Sequence, residues 1–169
     1  MKYLWEIEHY TDDQLERIIN SENSKDYEAI TALALFYALG KYNFPKDNKR
    51  AIKLLNYCMR DKHAQSYYVY ALLLINPAFS VQTDEHKYIA FLKRSANLGF
   101  DKAMSKIGEA YLFGIGVKLS LRDAESYLTK ARCKESVRGL EKLAQIYEEG
   151  YPEKAESLKD LADKFSRIV

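Results

Sequence analysis

The side chains best suited to acid–base or metal chemistry are scattered along this sequence. The histidines are His9, His63 and His86, and none of them has a cysteine or carboxylate at the spacing that zinc sites use. They lie in three different predicted helices or loops, as is typical of surface histidines. The sequence therefore predicts no metal site at these residues.

The remaining reactive residue types also lack partners at useful spacing. Cys58 and Cys133 are the two cysteines, too few for a disulfide framework, and we interpret them as core or groove-lining thiols. Asp12–Asp13 and Glu148–Glu149 are paired carboxylates. Adjacent residues point about 100° apart on a helix, so these pairs are interpreted as cap and surface charges.

Two motifs that would indicate enzymatic function do not occur in the sequence. The glycines of Gly114-Ile115-Gly116 follow a predicted helix rather than a strand, and the third glycine of a nucleotide fingerprint is missing. No Ser-x-x-Lys motif occurs in the chain. We therefore predict no catalytic residue, no metal and no cofactor. A hydrolase with an unrecognised site stays open as an alternative.

The composition describes a folded chain without a strong overall charge. The 169 residues are 47% hydrophobic and 30% charged, with a net charge of +2, which excludes wholesale disorder. Glu6 and Glu8 interrupt any apolar run at the amino terminus, so no signal peptide is expected. The longest apolar runs, 29–40 and 67–75, are too short to cross a bilayer. These features predict a cytoplasmic protein with no membrane partner.

The elements that must position the side chains are predicted to be helices throughout. Apolar residues recur with helical spacing, and no segment alternates as a strand does. Helix-capping residues divide the pattern into nine helices with short connections. The predicted starts are marked by Thr11, Ser24 or Asp26, Asp47, Lys62, Thr83 or Asp84, Asp101, Ser120, Glu135 and Pro152.

One segment carries a clear two-helix signature. Its first helix has apolar residues four positions apart, which share one face, and Gly108 permits a close helix neighbour. The tight turn at 114–117 leads into a second helix with its own apolar face. The apolar positions of the pair are Ala103, Ile107, Tyr111, Ala124, Tyr127 and Ala131.

This signature resembles the Sel-one-like repeat, a relative of the tetratricopeptide repeat. Weaker copies align at residues 29, 64 and 139, and the second copy lacks the family's glycines in its turn at 76–83. The resemblance implies an all-α fold, an α-α superhelix (solenoid) of about four helix-pair repeats with capping helices. Stacking of the pairs would bury faces that no pair can bury alone.

The resemblance also predicts the domain organisation. A single domain, 1–169, is expected to contain an N-terminal cap helix within 1–25 and a C-terminal cap helix at 152–167. The repeats are expected to start near residues 26, 62, 101 and 137.

In proteins of this family the first helix of each pair lines the concave surface. If this carries over, the partner-binding residues are apolar in the amino-terminal part of the surface and acidic in the carboxy-terminal part. In chain order they are Leu35, Leu39, Ser66, Tyr70, Leu74, Glu109, Phe113, Glu141, Gln145, Glu148 and Glu149.

A repeat surface without catalytic residues favours a non-enzymatic protein-binding module. One specific hypothesis is a bacterial immunity protein or antitoxin whose acidic surface binds a basic toxin domain, such as a nuclease. A regulatory adaptor or scaffold in signalling or envelope processes is the alternative. Residues 31–134 carry a net charge of +9, but nucleic-acid binding is considered unlikely. The oligomeric state is left open.

Overall fold

The chain forms two compact units, Met1–Asp84 and Glu85–Val169. The computed structural model describes residues 9–79 and 83–168. The first unit contains α1 (Asp12–Ile19), α2 (Tyr27–Leu39), α3 (Asn48–Arg60) and α4 (Ala64–Leu74). The second unit contains α5 (Glu85–Asn97), α6 (Asp101–Phe113), α7 (Leu121–Lys130), a 3-10 turn (Lys134–Ser136), α8 (Val137–Tyr147) and α9 (Pro152–Ser166).

Four helix starts follow from capping residues that the sequence predicts. Thr11 and Gln14 form a complete capping box at α1. The carboxylates of Asp26 and Asp47 accept hydrogen bonds from backbone N–H groups at the starts of α2 and α3. Ser120 caps α7 in the same way. These local hydrogen bonds confirm the starts predicted for four helices.

Two predicted helix boundaries are wrong. Asp101 is the first residue of α6 rather than its cap, and the capping position is taken by Phe100, which offers no side-chain hydrogen bond. The sequence also predicts that the helix capped by Ser120 runs to about Cys133, whereas α7 ends at Lys130. The Ser136 hydroxyl donates to the backbone carbonyls of Ala131 and Cys133, at 2.7 and 2.6 Å, and so stabilises a 3-10 turn in place of a continuous helix.

The first unit is built around α2, which packs extensively on α3 and also contacts α1 and α4. The helix is almost entirely apolar and nine of its residues are buried, so it forms the centre of this unit. Hydrophobic burial supplies the main stabilisation of such a centre. The largest fully buried apolar side chains are Ile18, Ile30, Leu33, Leu55 and Val69.

The second unit has its core where α6, α7, α8 and α9 meet. Leu128 of α7 is fully buried between two glycines, Gly108 of α6 and Gly139 of α8. A Cβ atom at either glycine would lie 2.6 Å from a side-chain carbon of Leu128. The helices approach closely at this point because neither glycine has a side chain, and Leu128 fills the space.

The boundary between the units falls inside the second predicted repeat. That repeat was expected to begin near residue 62 and to include the glycine-poor turn at 76–83, of which 80–82 lie outside the described residues. Residues 1–8 of the predicted N-terminal cap also lie outside them. The single-domain boundaries therefore stay a prediction. Within the described ranges, no helix is long and apolar enough to cross a bilayer.

Candidate functional site

The second unit carries an open surface groove of about 550 Å³ between α6 and α8. Residues from three segments meet there: the second half of α6, the turn that follows it, and α8 from Arg138 to Gln145. The lining residues are Glu109, Phe113, Ile115, Arg138, Gly139, Glu141, Lys142 and Gln145.

One side of the groove is apolar. Phe113 is the last residue of α6 and leaves 53% of its surface exposed, and Ile115 in the next turn leaves 37% exposed. Because both side chains line a concavity, they offer adjacent apolar contact area to a bound molecule. The two residues form an apolar edge along the groove.

The turn that carries this edge is fixed by its own contacts. Gly114 adopts a left-handed conformation with φ of 73° and ends α6. The backbone N–H of Gly116 donates to the Glu85 carboxylate at 2.9 Å. A Cβ atom at Gly116 would lie 2.4 Å from the Glu85 backbone oxygen, so no other residue type fits there without displacement. Ile115 is therefore held in place between two constrained glycines.

The opposite side of the groove is polar and carries charges of both signs. Arg138 and Lys142 stand one helical turn apart on α8, and Glu141 lies on the same helix. Across the groove, Glu109 accepts a 2.7 Å ion-pair hydrogen bond from Lys106. Among the residues that the structure describes, no ion pair is formed by Arg138, Lys142 or Glu141.

The Glu109 carboxylate also affects the pKa of a buried residue in the second unit. Burial and, to a smaller extent, the nearby Glu109 carboxylate together raise the pKa of Tyr88 on α5 to about 12. Glu109 is itself half-buried and bound to Lys106. Its charge is therefore partly compensated within the protein, unlike the charges on α8.

The structure brings four of the predicted binding residues into this groove: Glu109, Phe113, Glu141 and Gln145. The other two from the carboxy-terminal part do not line it. Glu148 instead pairs with Lys159 of α9 at 2.8 Å, and Glu149 is exposed after the end of α8. The predicted acidic character needs correction too, because Arg138 and Lys142 balance the two carboxylates of the lining.

The predicted binding residues of the first unit are less accessible. Leu35 and Leu39 on α2 and Tyr70 and Leu74 on α4 are all half-buried. Ser66 is fully buried, which contradicts its predicted place on a binding surface. Its hydroxyl is engaged with Thr31 and His63 inside the unit, so it has a structural role.

A buried polar cluster surrounds that serine. Ser66 Oγ lies 2.7 Å from Thr31 Oγ1 and 2.8 Å from His63 Nδ1, and Thr31 donates to the Tyr27 backbone oxygen at 2.6 Å. Burial lowers the pKa of His63, although the carboxylates of Glu28 and Asp26 oppose this effect. His63 is therefore half-buried and hydrogen-bonded rather than the predicted surface histidine.

Both cysteines are buried and unpaired, as core thiols would be. Burial raises the pKa of the Cys133 thiol to about 11 and raises that of Cys58 as well. Thiols with raised pKa values are poor nucleophiles at neutral pH. The described part of the chain also contains no group of three or more His, Cys, Asp or Glu residues that could hold a metal ion.

Four groove residues were not predicted from the sequence: Ile115, Arg138, Gly139 and Lys142. Arg138 precedes the predicted Glu141 by three positions, and Lys142 precedes the predicted Gln145 by three. Helical spacing places both pairs on one face, so this signal was present. Ile115 has no comparable signal, because it lies in the turn after α6, where helical spacing does not indicate a shared face.

One comparison by sequence finds a regulatory protein. The chain is 32% identical over 127 residues to chitin synthase regulatory factor 3 of Schizosaccharomyces pombe. The match covers 72% of this chain but 13% of the relative, so this chain spans only about an eighth of that protein's length. No protein-family model matches the chain.

Comparisons by structure find two repeat proteins. The Sel1 repeat protein from Oxalobacter formigenes matches with a TM-score of 0.66 and 22% identity, over 83% of this chain and 59% of the other. A protective antigen of uropathogenic Escherichia coli, c5321, which displays an SLR fold, matches with a TM-score of 0.70 and 20% identity, over 92% of this chain and 33% of the other. The chain thus has the Sel-one-like repeat (SLR) fold, and the predicted fold class is confirmed.

Proposed function

We propose that this SLR-fold chain is a non-enzymatic protein-binding module of the regulatory or adaptor type. The groove between α6 and α8 is its binding surface. The observation that carries the proposal is the accessible Phe113 beside unpaired charges on α8. An apolar anchor next to polar groups that fix orientation is the usual composition of a protein-binding site.

The sequence relative supports the regulatory type. Chitin synthase regulatory factor 3 is described by its name as a regulatory protein, and the match covers most of this chain. Because the chain corresponds to a small part of that protein, we propose the role of a regulatory module and leave the regulated protein open.

Affinity purification with matched variants tests the proposal. Wild-type protein, Phe113→Ala and Ile146→Ala are immobilised and exposed to lysate of the source organism, and bound proteins are quantified. Ile146 is a suitable control because it is 44% exposed on α8 but does not line the groove. We expect at least one protein to be retained by wild type and Ile146→Ala and to be lost with Phe113→Ala.

The proposal fails if every retained protein binds the three variants equally. Circular dichroism spectra must match among them, so that a lost partner reports a lost contact. A substrate converted by the purified wild-type protein, with turnover abolished by one point substitution, would replace the proposal with the hydrolase alternative.

A narrower version of the proposal is the immunity protein or antitoxin that binds a basic toxin domain. It stays a prediction based on the acidic carboxy-terminal part of the sequence. The balanced charges of the groove give it no added support. Its distinguishing result is a toxin whose activity is inhibited by the wild-type chain and restored by Phe113→Ala.

A further inference from the structure

We infer that the groove between α6 and α8 binds a protein segment in which an apolar side chain is flanked by carboxylates. This inference rests on the proposed function, because it names the partner chemistry of the same groove. It begins from the charges that the groove leaves uncompensated.

The acidic and basic residues of the groove differ in their partners. Glu109 forms an ion pair with Lys106 at 2.7 Å, so its negative charge is compensated within the protein. It is one of the two carboxylates that line the groove. Glu141 is then the one carboxylate of the lining without an ion pair in the described structure, against two such cations, Arg138 and Lys142. The uncompensated charge of the groove is therefore positive, although the lining residues sum to zero.

The start of α8 strengthens this positive character. No acidic residue lies in the first turn of α8, and Ser136 at the capping position makes no capping hydrogen bond. The helix dipole places partial positive charge at this end, where Arg138 and Gly139 line the groove. A neighbouring carboxylate of the protein, Glu135, is already paired with Lys102 at 2.5 Å.

The spacing of these groups defines the segment that fits. Arg138 and Lys142 are four residues apart, so their charged ends lie along one helix face about one turn apart. Phe113 and Ile115 form the apolar edge on the opposite side. A segment with a Leu or Phe side chain between Asp or Glu residues places its apolar group on this edge and its carboxylates on the two cations.

Three pools of short labelled peptides test the inference by fluorescence polarisation at low salt. Each pool has a central Leu or Phe, flanked by Asp and Glu in the first pool, by Lys and Arg in the second, and by Ser and Gln in the third. The full chain is used as wild type, Phe113→Ala, the double variant R138E/K142E and the control K164E/R167E. The control makes the same charge change at two exposed residues at the end of α9.

We expect the acidic pool to bind about fivefold more tightly than the neutral pool, as two exposed ion pairs would allow. R138E/K142E should remove this preference and favour the basic pool, whereas K164E/R167E should keep the wild-type order. Phe113→Ala should weaken all three pools. High salt should reduce the difference between the acidic and neutral pools.

Failure of the inference and failure of the proposed function give different results. If the pools bind in a Phe113-dependent way but the acidic pool has no advantage, or the basic pool is preferred, the inference is overturned and the proposed function stands. If no pool binds the folded wild-type chain, or Phe113→Ala binds every pool as wild type does, both are overturned.

Discussion

Two buried serines differ in the hydrogen bonding of their hydroxyl groups, and therefore in their expected contribution to stability. Ser66 and Ser105 are both fully buried, on α4 and α6. Ser66 Oγ contacts Thr31 and His63 within hydrogen-bond distance, whereas Ser105 Oγ has no hydrogen-bond partner among the described residues. An unpartnered buried hydroxyl costs stability, and a bonded one adds to it.

The two alanine substitutions should therefore have different effects. Ser66→Ala should lower the free energy of unfolding by about 1–2 kcal/mol, because Thr31 and His63 lose a partner. Ser105→Ala should change it by less than about 0.5 kcal/mol or raise it. Urea unfolding measures both. Equal losses for the two variants would contradict this account of the serines.

His63 makes stability depend on pH in a direction fixed by its surroundings. Burial lowers its pKa in the folded chain, so the unfolded chain takes up the proton more readily. The stability of the folded chain with neutral His63 is fully present above the ordinary histidine pKa of about 6.5. It is lost as the pH falls below about 6.5 and through the lowered pKa of His63 in the folded chain. The free energy of unfolding should thus decrease between about pH 7 and pH 5.

Substitution of His63 isolates its part of this slope. His63→Gln cannot take up a proton, so its free energy of unfolding should fall less steeply over the same pH range than that of wild type. The measurement is urea unfolding at several pH values. Parallel slopes for the two proteins would show that the decrease comes from other groups.

At the scale of elements, the closest helix contacts depend on two glycines. Leu128 of α7 lies between Gly108 of α6 and Gly139 of α8, and a Cβ atom at either glycine would come within 2.6 Å of it. Gly108→Ala and Gly139→Ala should each lower the free energy of unfolding by about 1–3 kcal/mol through overpacking. Gly150→Ala is the control, because a Cβ atom there meets nothing within 4 Å.

A double-mutant cycle tests whether Leu128 is the cause. Leu128→Ala alone should cost about 2–5 kcal/mol, because it leaves a cavity. In the double variant with Gly139→Ala, the new methyl group enters space that Leu128 has vacated, so the combined loss should be smaller than the sum of the two single losses. Additive losses in thermal or urea unfolding would place the strain elsewhere.

Four helix starts were predictable because they depend on local signals. Thr11, Asp26, Asp47 and Ser120 each cap a helix through a hydrogen bond to a residue three positions away. The end of α7 was not predictable in this way. It depends on hydroxyl bonds from Ser136 to two earlier carbonyls, which compete with continuation of the helix.

The groove was predictable in part for the same reason. Residues four apart on a first helix share a face, so Glu109 and Phe113 were placed together, as were Glu141 and Gln145. Accessibility was not predictable from spacing alone. Ser66 corresponds to Glu141 when the repeats are aligned at residues 64 and 139, yet tertiary packing buries Ser66 completely.

At the scale of the whole molecule, near-neutral charge conceals local differences. Residues 1–30 carry a net charge of −5, residues 31–134 of +9 and residues 135–169 of −2. The acidic net charge of the last segment predicts an acidic surface. However, ion pairs within the protein determine which charges remain available to a partner. Glu135 and Glu148 are bound to lysines, whereas Arg138 and Lys142 form no ion pair in the described structure. The local field of the groove therefore differs from the charge of the segment that forms it.

The central claim is that partners bind at the groove between α6 and α8. Site-specific photocrosslinking tests it most directly, with a photoreactive phenylalanine analogue in place of either Phe113 or Ile146 in the full chain. Both positions are exposed, but only Phe113 lines the groove. We predict that the analogue at position 113 forms discrete adducts with a protein of the source organism, and that the analogue at position 146 does not. Equal adducts at the two positions, or adducts only at position 146, would contradict the account.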